Sequence, residues 1–341
     1  MANARTTDAI ESLLYRAAAR ATLAPSIYNT QPWRFVVHPD GLDVLTDPKR
    51  AVAVIDPCGR QRVLSCGAAL FGARISLAAA GFGVEEARVA SLESDPDLLL
   101  SLILNDTPAY SVADARRLDA AADRRRSNRR RFTAATVPSA FMETLHQHVA
   151  AEGAELHPIV DLDDRVVLAT LVQRADALQN SDPAYRAELR SWTTDDPSRH
   201  DGVSAASIPH VTGLAHSDVP IRDFDTSGAG ELPADPQSGL YQTFAVITTR
   251  GDERRDWLTA GQALYRLLLE LTDAGYVASV LSQVCEVASA RVALRDNLRL
   301  FGNPQIVVRA GLAASTLPTL RRPLVDVIST RTELAGHRTR P

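Results

Sequence analysis

A chain of 341 residues, 45% of them hydrophobic, has enough apolar material for one large domain or two ordinary ones. Its formal net charge of −4 gives no global positive field to draw it onto nucleic acid or an anionic membrane surface, so a small molecule is the expected partner. Three cysteines, Cys58, Cys66 and Cys285, form neither an even framework nor a CxxC pair, and read as reduced thiols outside any disulfide or zinc site.

The N-terminal stretch lacks the apolar segment of a signal peptide, and the run 98–104 is far shorter than a membrane span; a soluble, cytoplasmic protein is expected. A first helix is predicted over 7–22. It is followed by A-P-S-I-Y-N-T-Q-P-W at 24–33, where two prolines stiffen a loop that carries a hydroxyl and two amides ahead of an indole. Such a loop either presents polar groups to a heteroatom-rich planar ligand or simply connects helix to strand with Trp33 in the core. Strands 33–37 and 42–46 form a hairpin around Pro39-Asp40-Gly41, and an apolar helix over 62–80 ends at Gly81. Strands near 87–92 and 98–104 complete an α+β arrangement with an antiparallel component.

Two helices share a pattern. S-C-G-A-A-L-F at 65–71 closes in A-G-F, and T-A-G-Q-A-L-Y at 259–265 closes in A-G-Y, the two glycines of each lying fourteen residues apart. Four helical turns place both glycines on one face, where a neighbour can approach closely. The match suggests either a duplication, with halves at 1–115 and 116–330 and a tail at 331–341, or chance likeness between Ala/Leu-rich helices. Between the halves, residues 124–131 hold six arginines around Ser127. A charge run of this kind is commonly a solvated face, but a hydroxyl between Arg125 and Arg129 also makes a clamp for a phosphate ester. Residues 194–239, rich in Asp, Pro, Ser and Gly, read as a lid, with Val203, Ile208, Val211, Leu214 and Phe224 packing on something beneath. A helix at 289–301, a strand at 305–310 and a second basic point, Arg321-Arg322, close the chain.

The loop at 24–33, the R-R-S-x-R-x-x-F segment, the G-x-A-L helices and the closing R-R-P-L resemble the FMN-dependent nitroreductase family, most closely its double-length, Acg-like branch, over about residues 7–330. The resemblance implies a nitroreductase-like fold duplicated as a fused pseudodimer, with antiparallel sheets flanked by helices. It implies FMN as cofactor and NAD(P)H as electron donor, with a nitro compound or quinone as acceptor. Carried over position by position, Arg125, Arg126, Ser127 and Arg129 match the phosphate motif, and Pro25, Ser26, Ile27 and Asn29 match the loop against the flavin. Ser282, Gln283 and Glu286 lie in a stretch resembling the one beside the ring, and Arg321 or Arg322 matches a terminal phosphate contact.

The departures are informative. The first half keeps the flavin loop without an Arg-Ser motif, and the second keeps the motif without the loop, so one FMN per chain is expected, in a monomer able to pair further. Val284 and Cys285 stand where the family has Pro-Ile. No residue need act as catalytic acid or base, since a flavin carries the redox chemistry. There is no G-x-G-x-x-G fingerprint, no nucleophile elbow and no metal-ligand spacing. A flavin-storage protein with little turnover is the alternative of a different class. A nucleic-acid binder is set aside because no aromatics interleave the arginines.

Overall fold

The computed structural model describes residues 2–87, 96–130, 132, 135–194, 196, 198–209, 219–224 and 242–330, with the side chains of 2–7 left out. The first helix, α1 (Ala2–Ala21), leads through the 24–32 loop into β1 (Trp33–His38) and β2 (Gly41–Thr46). These pair antiparallel about a two-residue turn, His38 opposite Gly41. Then come α2 (Arg60–Ala79), β3 (Gly83–Ala87) and β4 (Leu98–Asn105). Gly81 takes φ 91° just past α2, the left-handed stop that its position predicts. The strand expected near 87–92 lies earlier, at β3, and residues 88–95 are outside the described set.

The chain continues through α3 (Val112–Ala122), α4 (Ser139–Ala151), β5 (Glu155–Ile159), α5 (Leu162–Ser181), α6 (Pro183–Ser191), β6 (Thr193–Thr194) and β7 (Val203–Ser204). It continues with β8 (Thr243–Thr249), α7 (Arg254–Asp273), β9 (Val277–Leu281), α8 (Gln283–Glu286), α9 (Ala288–Asn297), β10 (Asn303–Gly311) and β11 (Ile328–Thr330). Two mainly antiparallel sheets result, ordered β11-β1-β2-β4-β3 and β5-β8-β10-β9. The last strand does not stay with its neighbours in sequence. It crosses back to lie parallel to β1, Phe35 opposite Ile328.

Helices α2 and α7 cross between the sheets, and the glycines explain how. A Cβ on Gly67 would meet the Leu258 carbonyl oxygen at 2.2 Å, and one on Gly261 would meet the Leu64 carbonyl oxygen at 2.0 Å. The contact is reciprocal, since Gly67 stands to Leu64 as Gly261 stands to Leu258, as at a twofold interface. The helix limits and strands β3 and β9 keep the same offset. Helix α2 is apolar and long enough to cross a bilayer, yet most of it is buried inside the fold. Trp33 is fully buried beneath it with Phe35, Phe71 and Tyr265.

Candidate functional site

A cleft opens between the 24–33 loop with α2 and the sheet that carries β9 and β10. One wall is the loop Pro25–Tyr28 together with Gln61, Leu64 and Ser65 of α2; the opposite wall is Ser279 and Val280 of β9, Ser282 and Ile306, and Leu264 of α7 comes from the helix crossing. A second, smaller cavity shares Pro25, Ser26, Ser127 and Arg129 with the first and extends toward Asn29, Arg125 and Arg321.

The loop is held in a conformation that side chains rarely adopt. Tyr28, Asn29 and Gln31 have φ of 48°, 54° and 51°, in the left-handed region. Strain of this kind persists only where neighbours fix it, and it collects at functional sites. Ser26 Oγ accepts the Gln31 N–H at 2.9 Å, and Ser65 Oγ accepts the Ile27 N–H at 3.2 Å. Gln31 Nε2 donates to the His200 carbonyl at 2.7 Å, while its Oε1 accepts the Arg322 N–H at 2.8 Å. At the start of α2, the Asp56 carboxylate accepts the N–H groups of Gln61 and Arg62 at 3.0 and 2.9 Å. That cap aims Gln61 and Ser65, one turn apart, at the cleft. Gln61 Nε2 is buried with no partner among the described residues.

The arginine loop is bound to the opposite sheet. Asn128 donates its N–H to the Ala278 carbonyl at 2.8 Å and its Nδ2 to the Ala314 carbonyl at 2.8 Å. Arg309, fully buried, reaches from β10 to Ser279 Oγ at 3.0 Å and to the carbonyls of Asn128 and Arg130 at 3.2 Å, with its guanidinium 4.1 Å from the Phe132 ring centre. Ser127 is thereby fixed between the two cavities.

Arg125, Arg129 and Arg321 converge there without a carboxylate partner among the described residues. Arg125 and Arg321 spend N–H groups on the carbonyls that end α1: Arg125 on Leu23, Arg321 on Thr22, Leu23 and Ala24. Arg125 Nε is buried and unpartnered. Arg129 makes no hydrogen bond in the described set and lies 4.7 Å from the Phe224 ring centre. Burial, reinforced by neighbouring guanidinium charge, lowers all three pKa values, Arg129 to about 10 beside Arg222 and Arg321 to about 9 beside Arg125. Three cations destabilised by burial and a serine hydroxyl are the donor set of an anion site.

Of the thirteen residues expected from sequence, Pro25, Ser26, Ile27, Ser127, Arg129 and Ser282 line the larger cavity; Asn29, Arg125 and Arg321 line the smaller. Four stand off both. Arg126 folds back onto the Arg125 carbonyl at 2.7 Å. Arg322 braces the strained loop through the Gln31 carbonyl at 3.1 Å and Asp47 at 3.3 Å. Gln283 and Glu286 sit on the single-turn helix α8. Gln283 points at Asp176 and Glu286 at Gln179 and Arg222.

No family model matches the chain. It is 31% identical over 336 residues to the "Putative NAD(P)H nitroreductase acg" of Mycobacterium tuberculosis, with 96% of this chain and 97% of that protein covered. The chain belongs to the nitroreductase family, in its Acg-like branch. Two further proteins of that organism align along nearly the whole chain. One, an uncharacterised protein, is 31% identical over 94% of this chain and 93% of its own length. Another "Putative NAD(P)H nitroreductase" is 30% identical over 93% and 91%. Among solved structures, a nitroreductase with bound FMN from Bacteroides fragilis aligns with 60% of this chain and 94% of its own at 12% identity and a TM-score of 0.37.

In this Acg-like chain the cleft also contains residues that no motif announced. Segment 219–224 brings in Arg222 and Phe224. Arg222 Nη1 donates to Tyr28 Oη at 2.5 Å and Tyr185 Oη at 2.6 Å, and Nη2 to Glu286 Oε2 at 2.5 Å and Ser282 Oγ at 3.3 Å. Phe224 meets Tyr28 edge-on, centroids 5.8 Å apart. Val203, Ile208 and Phe224 pack in one buried cluster with Tyr28 and Tyr185. Val211 and Leu214, and most of 210–239, lie outside the described residues.

Proposed function

We propose that this chain is an FMN-dependent oxidoreductase that passes electrons from NAD(P)H to a nitro compound or quinone and holds one FMN. The observation that carries the reading is the convergence of Arg125, Ser127, Arg129 and Arg321 on one end of a cleft that the strained loop walls along its length. The donor set fits the group: guanidinium charges without carboxylates suit a phosphate monoester, while hydroxyls, the unpartnered Gln61 amide and an apolar floor of Leu64, Leu264 and Ile306 suit a heteroaromatic ring. Ser26–Tyr28, Gln61, Ser65, Ser279 and Ser282 would border the ring, with Asn29 near the phosphate. When bound, FMN supplies reversible two-electron chemistry, so the protein's task is position, electrostatics and access. The reciprocal glycine contact between α2 and α7 supports reading the chain as a fused pseudodimer, its site built from one element of each half.

The test is to purify the protein, identify any released chromophore, and follow the flavin band after anaerobic addition of NADH or NADPH. A colourless protein that cannot be reconstituted with FMN overturns the reading. A second reading, flavin storage beneath a lid, is favoured by Arg222 and Phe224, which lie against Tyr28 and Arg129 at the cleft wall. Bleaching by dithionite but by neither nicotinamide would select it.

A further inference from the structure

Reducing a quinone or nitro group consumes protons as well as electrons, and the cleft limits where one can come from. Neither cavity is lined by an Asp, Glu or His among the described residues. The one phenol bordering the larger cavity is Tyr28, 5% exposed. Its oxygen accepts an Arg222 N–H at 2.5 Å, and Tyr185 Oη accepts another from the same nitrogen at 2.6 Å. Two phenols bring two O–H donors, and at most one can be spent on a bond between them. Neither phenol has another acceptor among the described residues, and Tyr28 is the one that borders the larger cavity.

We propose that Tyr28 is the proton donor to the acceptor's oxygen, with Arg222 as a positioning residue; this rests on the oxidoreductase reading. In the reduction of a quinone, two electrons and one proton come from the dihydronicotinamide, which is oxidised. The Tyr28 O–H bond breaks and a new O–H bond forms on the quinone oxygen, giving the hydroquinone. The phenolate left behind is held by the Arg222 N–H and regains its proton from water. Burial raises the Tyr28 pKa well above that of a free phenol, so the group is loaded across the physiological range. The Arg222 guanidinium, 5.1 Å from the Tyr28 ring centre and ion-paired to Glu286, opposes that burial and supports the transient anion.

The test uses the FMN-loaded protein, duroquinone as an acceptor that needs protons, and ferricyanide as one that needs none. Tyr28→Phe keeps the ring edge against Phe224 and removes the hydroxyl. Duroquinone reduction should fall about 100-fold, the size of a lost general acid, with FMN affinity and ferricyanide reduction within about threefold of wild type. Tyr185→Phe, altered in the same cluster but outside the cleft lining, should keep duroquinone reduction within about threefold. Without any electron donor, difference infrared spectra should show the carbonyl stretch of bound duroquinone lowered in the wild type and restored to its free value in Tyr28→Phe. Equal duroquinone rates in wild type and Tyr28→Phe, equal losses in the two Tyr→Phe variants, or an unchanged infrared band overturn the assignment. A wild type that binds FMN yet reduces neither acceptor overturns the oxidoreductase reading instead.

Discussion

Arg321 Nη1 donates to Asn29 Oδ1 at 3.0 Å, joining positions almost three hundred residues apart at the edge of the anion site. Asn29 is thus a neutral acceptor where a carboxylate would have completed an ion pair. The neutrality has a testable value. Asn29→Asp should pair with Arg321, leave thermal stability equal or higher, and weaken FMN about tenfold or more by cancelling charge meant for phosphate, while riboflavin binding is unchanged. Calorimetric titration with the two flavins separates these outcomes; equal losses for both would place the phosphate elsewhere.

Arg129 has no hydrogen bond to lose among the described residues, and its charge is destabilised by burial. Arg129→Met should therefore leave the cofactor-free protein as stable as the wild type or more so, and cost about 1.5–3 kcal/mol of FMN affinity. Ser127→Ala should weaken FMN by a smaller amount. Arg126→Ala should leave it unchanged, because that side chain bonds its neighbour's carbonyl away from the cavities. Urea unfolding of apoprotein with FMN fluorescence titration checks all three.

The helix crossing predicts a steric cost. Gly67→Ala and Gly261→Ala each drive a methyl into a backbone carbonyl, and each should destabilise the fold by at least about 1–3 kcal/mol. Because both substitutions push the same two helices apart, the double variant should lose less than the sum. Additive losses in urea melts would mean that the two contacts yield independently.

Asp252 gives a pH dependence. Burial raises its pKa, but hydrogen bonds from Arg291 at 2.6 and 2.7 Å, Trp257 at 2.8 Å and Gln305 at 3.1 Å outweigh this and hold it down to about 2. An unfolded Asp titrates near about 3.9, so between those values the unfolded chain binds the extra proton. The Asp252 contribution is therefore complete above about pH 4 and lost as pH falls toward 2. Asp252→Asn should lower stability at pH 7 and flatten its decline in acid, measured by urea melts from pH 7 to 3.

The loop at 24–33 and the Arg-Ser segment were legible because each packs its chemistry into a few consecutive residues. The α2/α7 likeness was legible because a helix imposes a period on its glycines. Arg222, Tyr185 and Arg309 were not. They meet the site from segment 219–224, helix α6 and strand β10, and only tertiary contact gives an isolated arginine or tyrosine its role. Sequence also could not separate Arg321 from Arg322. Adjacent side chains diverge, one toward the cavity and the other under the strained loop. Likewise, the turn of helix at 283–286 rotates Gln283 and Glu286 behind Ser282, a displacement that motif matching cannot register.

Strand β11 has a consequence for how the molecule is made. Trp33–His38 leaves the ribosome almost three hundred residues before its parallel neighbour, Ile328–Thr330. Arg321 arrives just before it. A nascent chain must therefore carry an uncovered edge on its first sheet, and an incomplete anion site, until those residues emerge. If the cleft holds FMN as proposed, capture waits for Arg321, and a ribosome stalled short of that residue would display a cleft with nothing to close its phosphate end.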